Sequence, residues 1–124
     1  LMFLDKLDSN TDITMHIDSP GGSVKSGLSI IDVMEWINTD IVTVNTGMAA
    51  SMGAAILSCG TKGHRTALPN SSIMLHQVSS GTQGNIQDQR VSLAFSEKLN
   101  DKLNSILKRI NSIIIILKYF IFVL

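Results

Sequence analysis

Ser51 stands where a run of small residues, Gly47-Met48-Ala49-Ala50, meets a predicted short helix that begins Met52-Gly53-Ala54-Ala55. A serine at that junction holds its hydroxyl near unpaired helix N–H groups, where the dipole favours developing negative charge. That environment suits a nucleophile, and it equally suits a plain N-cap serine. The pattern is similar to a nucleophile elbow, with Ala49 in place of the first glycine of G-x-S-x-G. A base is also available. His76 closes the apolar run Ile73-Met74-Leu75, at the C-terminal end of a predicted strand. His16 falls within an alternating strand and His64 within the polar segment Thr61-Lys62-Gly63-His64-Arg65, so both read as surface or satisfied histidines. Gly21-Gly22 follows a strand and opens a helix, offering backbone N–H groups with no side chain in a ligand's way, for an oxyanion hole or a plain tight turn. The glycines lack G-x-G-x-x-G spacing and the lysine of a P-loop, which argues against nucleotide binding.

These residues need elements to hold them. Ile13, Met15 and Ile17 alternate with Thr14 and His16, the period of a strand with one buried face, and Asp18-Ser19-Pro20-Gly21-Gly22 stops it. From Ser23 onward Val24, Leu28, Ile31, Met34 and Ile37 recur at helical spacing to about Asn38. Ile41-Val42-Thr43-Val44 is the next strand, so the three form a unit with two parallel strands and a right-handed crossover. Gly47 to Gly60 reads as a tight turn followed by a short buried helix from Ser51 to about Ser58, capped by Gly60. Arg65 to Leu68 and Ser72 to Leu75 are short strands around the turn Pro69-Asn70. Gln77 to Gln87 is a polar loop or exposed hairpin arm; Val91, Phe95, Leu99, Leu103, Ile106 and Ile110 then mark a long amphipathic helix.

With 124 residues, 44% hydrophobic and 16% charged, the chain is sized for one domain with a real core. Ten basic residues balance ten acidic ones, which removes the attraction that sequence-independent nucleic-acid binding relies on. The one cysteine, Cys59, cannot form an intramolecular disulfide, and no Cys/His spacing suggests a zinc site. Leu1 to Leu7 reads as a helix fragment rather than a signal peptide. Residues 113–124 are almost wholly apolar yet well below the ~20 residues of a membrane span, so the expectation is a buried terminal helix or strand, or a divergent tail.

Three segments in order, Ile17-Asp18-Ser19-Pro20-Gly21-Gly22-Ser23-Val24, Gly47-Met48-Ala49-Ala50-Ser51-Met52-Gly53-Ala54, and Leu68-Pro69-Asn70-Ser71 followed by Met74-Leu75-His76-Gln77, resemble the ClpP family of self-compartmentalising serine peptidases over roughly Leu4 to Arg109. The resemblance implies an α/β fold, a spiral of ββα units shared with the crotonases, with a handle arm and a long handle helix. It divides the chain into a peptidase domain at 1–112 and an apolar tail at 113–124. It makes Ser51 the nucleophile, His76 the general base, and the N–H groups of Gly22 and Met52 the oxyanion hole, with no metal or organic cofactor. Gly21, Ser23, Val24 and Ser79 would flank an extended, unfolded protein or peptide substrate and pair with its backbone. The implied partners are a ring ATPase unfoldase and further copies in stacked heptameric rings, or a mixed ring with a full-length relative; nucleic acid and membrane are not among them. The implied location is a bacterial cytosol or an organelle of bacterial ancestry. The family's third triad member, an aspartate, lies beyond the handle helix, where the resemblance fades, so the alternative is a ring subunit or remnant with impaired catalysis. Asp18 stands where the family more often has Asn, and Val78 where Pro commonly follows His-Gln. An acyl-CoA enzyme of the crotonase type is a further alternative, one with no use for a Ser51 and His76 pair.

Overall fold

A computed structural model describes residues 1–79, 81–110 and 121–123, the side chains of the last three and of 109–110 excepted. The alternating segment forms β1 (Ile13–Ser19), which buries Ile13 and Ile17 and turns His16 outward. The next segment forms α2 (Val24–Trp36), following a short α1 (Met2–Leu7). Ser23 caps α2, its hydroxyl accepting from the Ser26 N–H at 3.3 Å, and Leu28, Ile31 and Met34 make the buried stripe that the spacing predicts. The β2 strand (Ile41–Ala50) lies parallel to β1, with Ile13 opposite Ile41 and Ile17 opposite Asn45, as the crossover reading requires.

β2 corrects the expected tight turn at Gly47 to Ala50. The strand runs on through these residues, pairing Met48, Ala49 and Ala50 with Ser72, Ile73 and Met74 of β4 (Ser72–Leu75). A strand of ten residues is sustained because it has two neighbours in succession: β3 (Arg65–Ala67) pairs with Thr43 to Asn45, and β4 takes over beyond it. Asp18 holds the β1 side, accepting the Met48 N–H at 2.9 Å. Every strand pairing among the described residues is parallel, in the order β1-β2-β4-β5, with β3 against β2. β5 (Ile121–Val123) sits beside β4, with Met74 opposite Phe122; the rest of the expected 113–124 tail lies outside the described residues. No described helix is long and apolar enough to cross a membrane.

The core sits where α3 (Met52–Ser58) meets the sheet and the other helices. Ile17, Ala49, Ala54, Leu57 and Ile73 cluster on the sheet side, while Leu28, Ile31, Met52, Ala55 and Ile106 cluster between α2, α3 and α4 (Ile86–Ile110). Helix α4 packs with its C-terminal half only. Leu99 and Leu103 are half-buried and Ile106 is buried, whereas Val91 and Phe95, on the same predicted stripe, are 61% and 52% exposed. Its start is fixed by Asn85, whose side chain accepts the Asp88 N–H at 2.9 Å. At the other end of the chain, Asp5 ties α1 to the α2–β2 connection. The Thr39 hydroxyl at 2.6 Å, helped by the Thr39 and Asn38 N–H groups, holds its carboxyl below the usual carboxylate value against a smaller opposing effect of burial.

Gly60 is the second correction. The α3 cap is Cys59, in right-handed helical geometry, and Gly60 serves a different end. A Cβ there would lie 2.4 Å from the Thr43 hydroxyl oxygen and 2.8 Å from its methyl, so the missing side chain lets the end of α3 press against β2. Thr43 cannot give way, being fully buried with its hydroxyl donated to the Leu57 carbonyl at 2.8 Å. Gly60→Ala is expected to destabilise the chain by roughly 1–3 kcal/mol through overpacking. In a Thr43→Ala background the nearest remaining side-chain atom is the Cβ at 3.1 Å, so the double variant should be more stable than the sum of the single losses. Urea denaturation of the four proteins measures that coupling.

Candidate active site

Ser51 sits at the hinge between β2 and α3 with φ 53° and ψ −119°, the positive-φ non-glycine residue among those described. Such a conformation costs a residue with a Cβ of order 1–3 kcal/mol, and it persists where neighbours over-determine it. Here they do. The Ser51 N–H donates to the Met74 carbonyl at 2.8 Å, extending the β2–β4 ladder by one bond, while the Ser51 carbonyl accepts the N–H groups of Ala54 and Ala55 at 3.1 and 3.2 Å, starting the helix. The strand's last bond and the helix's first ones thus share a single residue, and the sharp turn follows. The hydroxyl makes no capping bond to the helix it begins, so the plain N-cap reading of this serine fails.

Gly21 presses on the back of this turn. With φ 97°, its position would bring a Cβ to 2.6 Å from Ser51 Cβ, 2.7 Å from the Ala50 carbonyl oxygen and 3.1 Å from the Met52 nitrogen. The Ser19 hydroxyl steadies the approach, accepting the Gly21 N–H at 3.1 Å. Gly22 follows with φ 150° and open space where a side chain would project. Neither the Gly22 nor the Met52 N–H has a hydrogen-bond partner among the described residues, and both residues line one cleft of about 170 Å³ together with Gly21 and Ser23. Two free donors beside a serine are the raw material for holding an oxyanion.

His76 lies one residue beyond β4, the strand that pairs with the end of β2, so the sheet register carries it toward Ser51. Ser51 and His76 line one cleft of about 270 Å³, floored by Leu75 and walled by Val24, Gln77 and Val78. No hydrogen bond joins the two side chains among the described residues; in free enzymes such bonds are often long and tighten on substrate binding. The imidazole Nδ1 lies 2.6 Å from the Gln77 carbonyl oxygen. His16 is exposed on β1, and His64 stands 3.6 Å from the Asp12 carboxylate, so neither reaches this cleft. Of the flanking residues, Val24 is in the wall, Ser23 is engaged as the α2 cap, and Ser79 is exposed beyond the lining.

The contribution of α4 was not anticipated as part of the site. Asn100, Leu103, Asn104 and Leu107 of α4 also line the cleft, and Leu103 and Leu107 pack with Val24 on one hydrophobic cluster. The signal was present as two asparagines at i and i+4 beside a leucine pair of the same spacing, which puts polar and apolar groups side by side on one helical face. Among the described residues, no group of three or more His, Cys, Asp or Glu is placed to hold a metal ion.

Known proteins are similar in sequence across most of this chain. A proteolytic subunit of an ATP-dependent Clp protease from Bacteroides fragilis is 45% identical over 107 residues, covering 86% of this chain and 52% of its own length. One from Ligilactobacillus salivarius is 48% identical over 107 residues, covering 86% of this chain and 54% of its own. The chain therefore spans about half the length of the curated relatives it matches. The sequence profile of the Clp protease family runs across residues 1–113, taking in the Gly21-Gly22 turn, the Ser51 elbow, His76 and all four described helices, and by that match the chain belongs to the Clp protease family.

Proposed function

We propose that the chain is a proteolytic subunit of a Clp-type, ATP-dependent protease and acts as a serine endopeptidase on unfolded polypeptide. The observation that carries the reading is Ser51, uncapped at a positive-φ elbow, sharing one cleft with His76. Ser51 Oγ attacks the peptide carbonyl while His76 takes its proton; the resulting oxyanion accepts from the Gly22 and Met52 N–H groups. His76 then protonates the leaving amine, and a water molecule, deprotonated by the same imidazole, releases the acyl group. Gly21, Ser23 and Val24 on one side and the segment from Gln77 to Ser79 on the other would hold the substrate as an added strand, reading main chain more than side chain. No cofactor enters these steps.

The partners follow from the same family. Val91, Leu93 and Phe95 stand exposed on the outer half of α4, which suits burial between facing rings of further copies or of a full-length relative. A ring ATPase would feed the chamber, in a bacterial cytosol or an organelle of bacterial ancestry. The test is covalent labelling. A fluorophosphonate should modify the purified chain at one site, mapped by peptide mass spectrometry to Ser51, and Ser51→Ala should take no label. Absence of label on the folded wild-type chain, or label elsewhere that survives Ser51→Ala, overturns the reading.

A further inference from the structure

We propose that Asn45 is a positioning residue of the site: its buried side-chain amide ties together the two strands that lead to Ser51 and His76 and sets their spacing. The inference rests on the catalytic roles proposed above and adds the group that holds nucleophile and base at a fixed separation. Asn45 lies where β2 changes partner. It is paired with Ala67 of β3, and the pairing with β4 begins at Met48. Across this gap the amide makes two bonds. Its Nδ2 donates to the carbonyl of Ser72, the first residue of β4, at 2.9 Å, and its Oδ1 accepts the Gly47 N–H of β2 at a looser 3.3 Å. Gly47 stands four residues before Ser51, and Ser72 four before His76. One side chain therefore bonds to each backbone at the same remove from the group that backbone carries.

The surroundings make the tie firm. Asn45 is fully buried, so its bonds do not compete with water, and an apolar side chain would be easier to bury at this position. The Asn45 backbone carbonyl also accepts the Leu68 N–H at 2.9 Å, so this one residue holds both ends of the turn from Leu68 to Ser72. Within the turn, Ser71 donates its N–H and its hydroxyl to the Leu68 carbonyl, at 3.0 and 2.7 Å. The strand that follows needs such an anchor on its β2 side. β4 has four residues and, among these described residues, Ile73 alone is buried. Past the pairing with Met48 to Ala50, the Ser51 N–H bond to the Met74 carbonyl closes the ladder. Without the tie at Ser72, β4 can pivot about that bond, and His76 moves relative to Ser51.

Asn45→Val removes the amide and leaves a side chain of similar size that suits a buried strand. The control is Met34→Ala, a truncation in the core cluster of Ile13, Ile37 and Ile41, with the two variants compared at urea concentrations that give equal global stability. Hydrogen exchange at the Ser51 N–H should be about tenfold faster in Asn45→Val than in the control. Fluorophosphonate labelling should slow about tenfold in Asn45→Val and match the wild-type rate in Met34→Ala. In a His76→Ala background, Asn45→Val should slow labelling by less than about twofold, because the base it would misplace is gone; a general loosening of the elbow slows both backgrounds alike. The wild-type chain supplies a check that needs no variant. The Nδ2 proton given to Ser72 should exchange about a hundredfold more slowly than that of a free asparagine amide. Unprotected Nδ2 protons, a Ser51 N–H that exchanges alike in Asn45→Val and the control, or an equal slowing of labelling with and without His76 overturns the proposal. A wild-type chain that takes no label while both exchange results are as expected would instead sink the peptidase reading alone.

Discussion

His76→Ala is expected to slow acylation of Ser51 by about a hundredfold while leaving the fold intact, and the size of that number follows from what surrounds the imidazole. In a complete triad, loss of the histidine costs about a million-fold in turnover, because base, orienting acid and nucleophile act as one unit. Loss of the acid alone costs about ten-thousand-fold, which leaves the histidine with roughly a hundredfold still to contribute. Among the described residues the hydrogen-bond contact of the imidazole is the Gln77 carbonyl oxygen rather than a carboxylate, so the smaller figure is the one expected of these residues taken by themselves. The side chain is exposed at the cleft and lies outside the clusters that hold the core, so its truncation should change stability by less than about 0.5 kcal/mol. Second-order rate constants for fluorophosphonate labelling, with unfolding midpoints on the same samples, check both halves. A His76→Ala chain that labels at the wild-type rate would mean that Ser51 reacts without this base.

Much of this site was legible before the structure because its chemistry depends on local patterns. The helix positions Leu28, Ile31 and Met34, and the alternation of Ile13 and Ile17, are one-dimensional signals, and each residue is buried where its period requires. Pro69-Asn70 separates β3 from β4 as its turn chemistry dictates. What escaped depends on contacts between segments distant in sequence. Gly47 carries no local sign that it continues a strand; its extension exists because β4, more than twenty residues on, arrives to pair with Met48 to Ala50. Gly60 has the look of a helix cap, and only the approach of Thr43 reveals why a Cβ is excluded. Asn100 and Asn104 join the site through the packing angle of α4, which no periodicity encodes. The exposed stripe at Val91 and Phe95 is a case where the helical period was right and burial did not follow within one chain.

Gly21→Ala is expected to be the most damaging single-methyl change near the site, and two other glycines show how to separate its causes. Gly63 has φ 89°, close to the 97° of Gly21, but nothing stands within 4 Å of where its Cβ would be. Gly63→Ala therefore reads the backbone cost alone, about 1–2 kcal/mol. Gly22→Ala pairs a positive φ of 150° with equally open space and should behave alike. At Gly21 the new methyl meets Ser51 Cβ at 2.6 Å and the Ala50 carbonyl oxygen at 2.7 Å, atoms of the elbow itself with no flexible side chain to yield. The clash adds a few kcal/mol more, for a total of roughly 3–5 kcal/mol by urea denaturation. Relief can come only by moving the Pro20 to Gly22 turn away from Ser51 or by tilting Ser51 out of its turn. Either motion shifts the hydroxyl relative to the Gly22 and Met52 N–H groups proposed to hold the oxyanion, and a displacement of about 1 Å in such an arrangement costs on the order of a hundredfold in rate. Gly21→Ala should thus lose labelling under conditions where circular dichroism shows it folded, whereas Gly63→Ala at matched stability should label normally. Equal losses of stability in the two variants would show that the turn is not seated against the elbow as described.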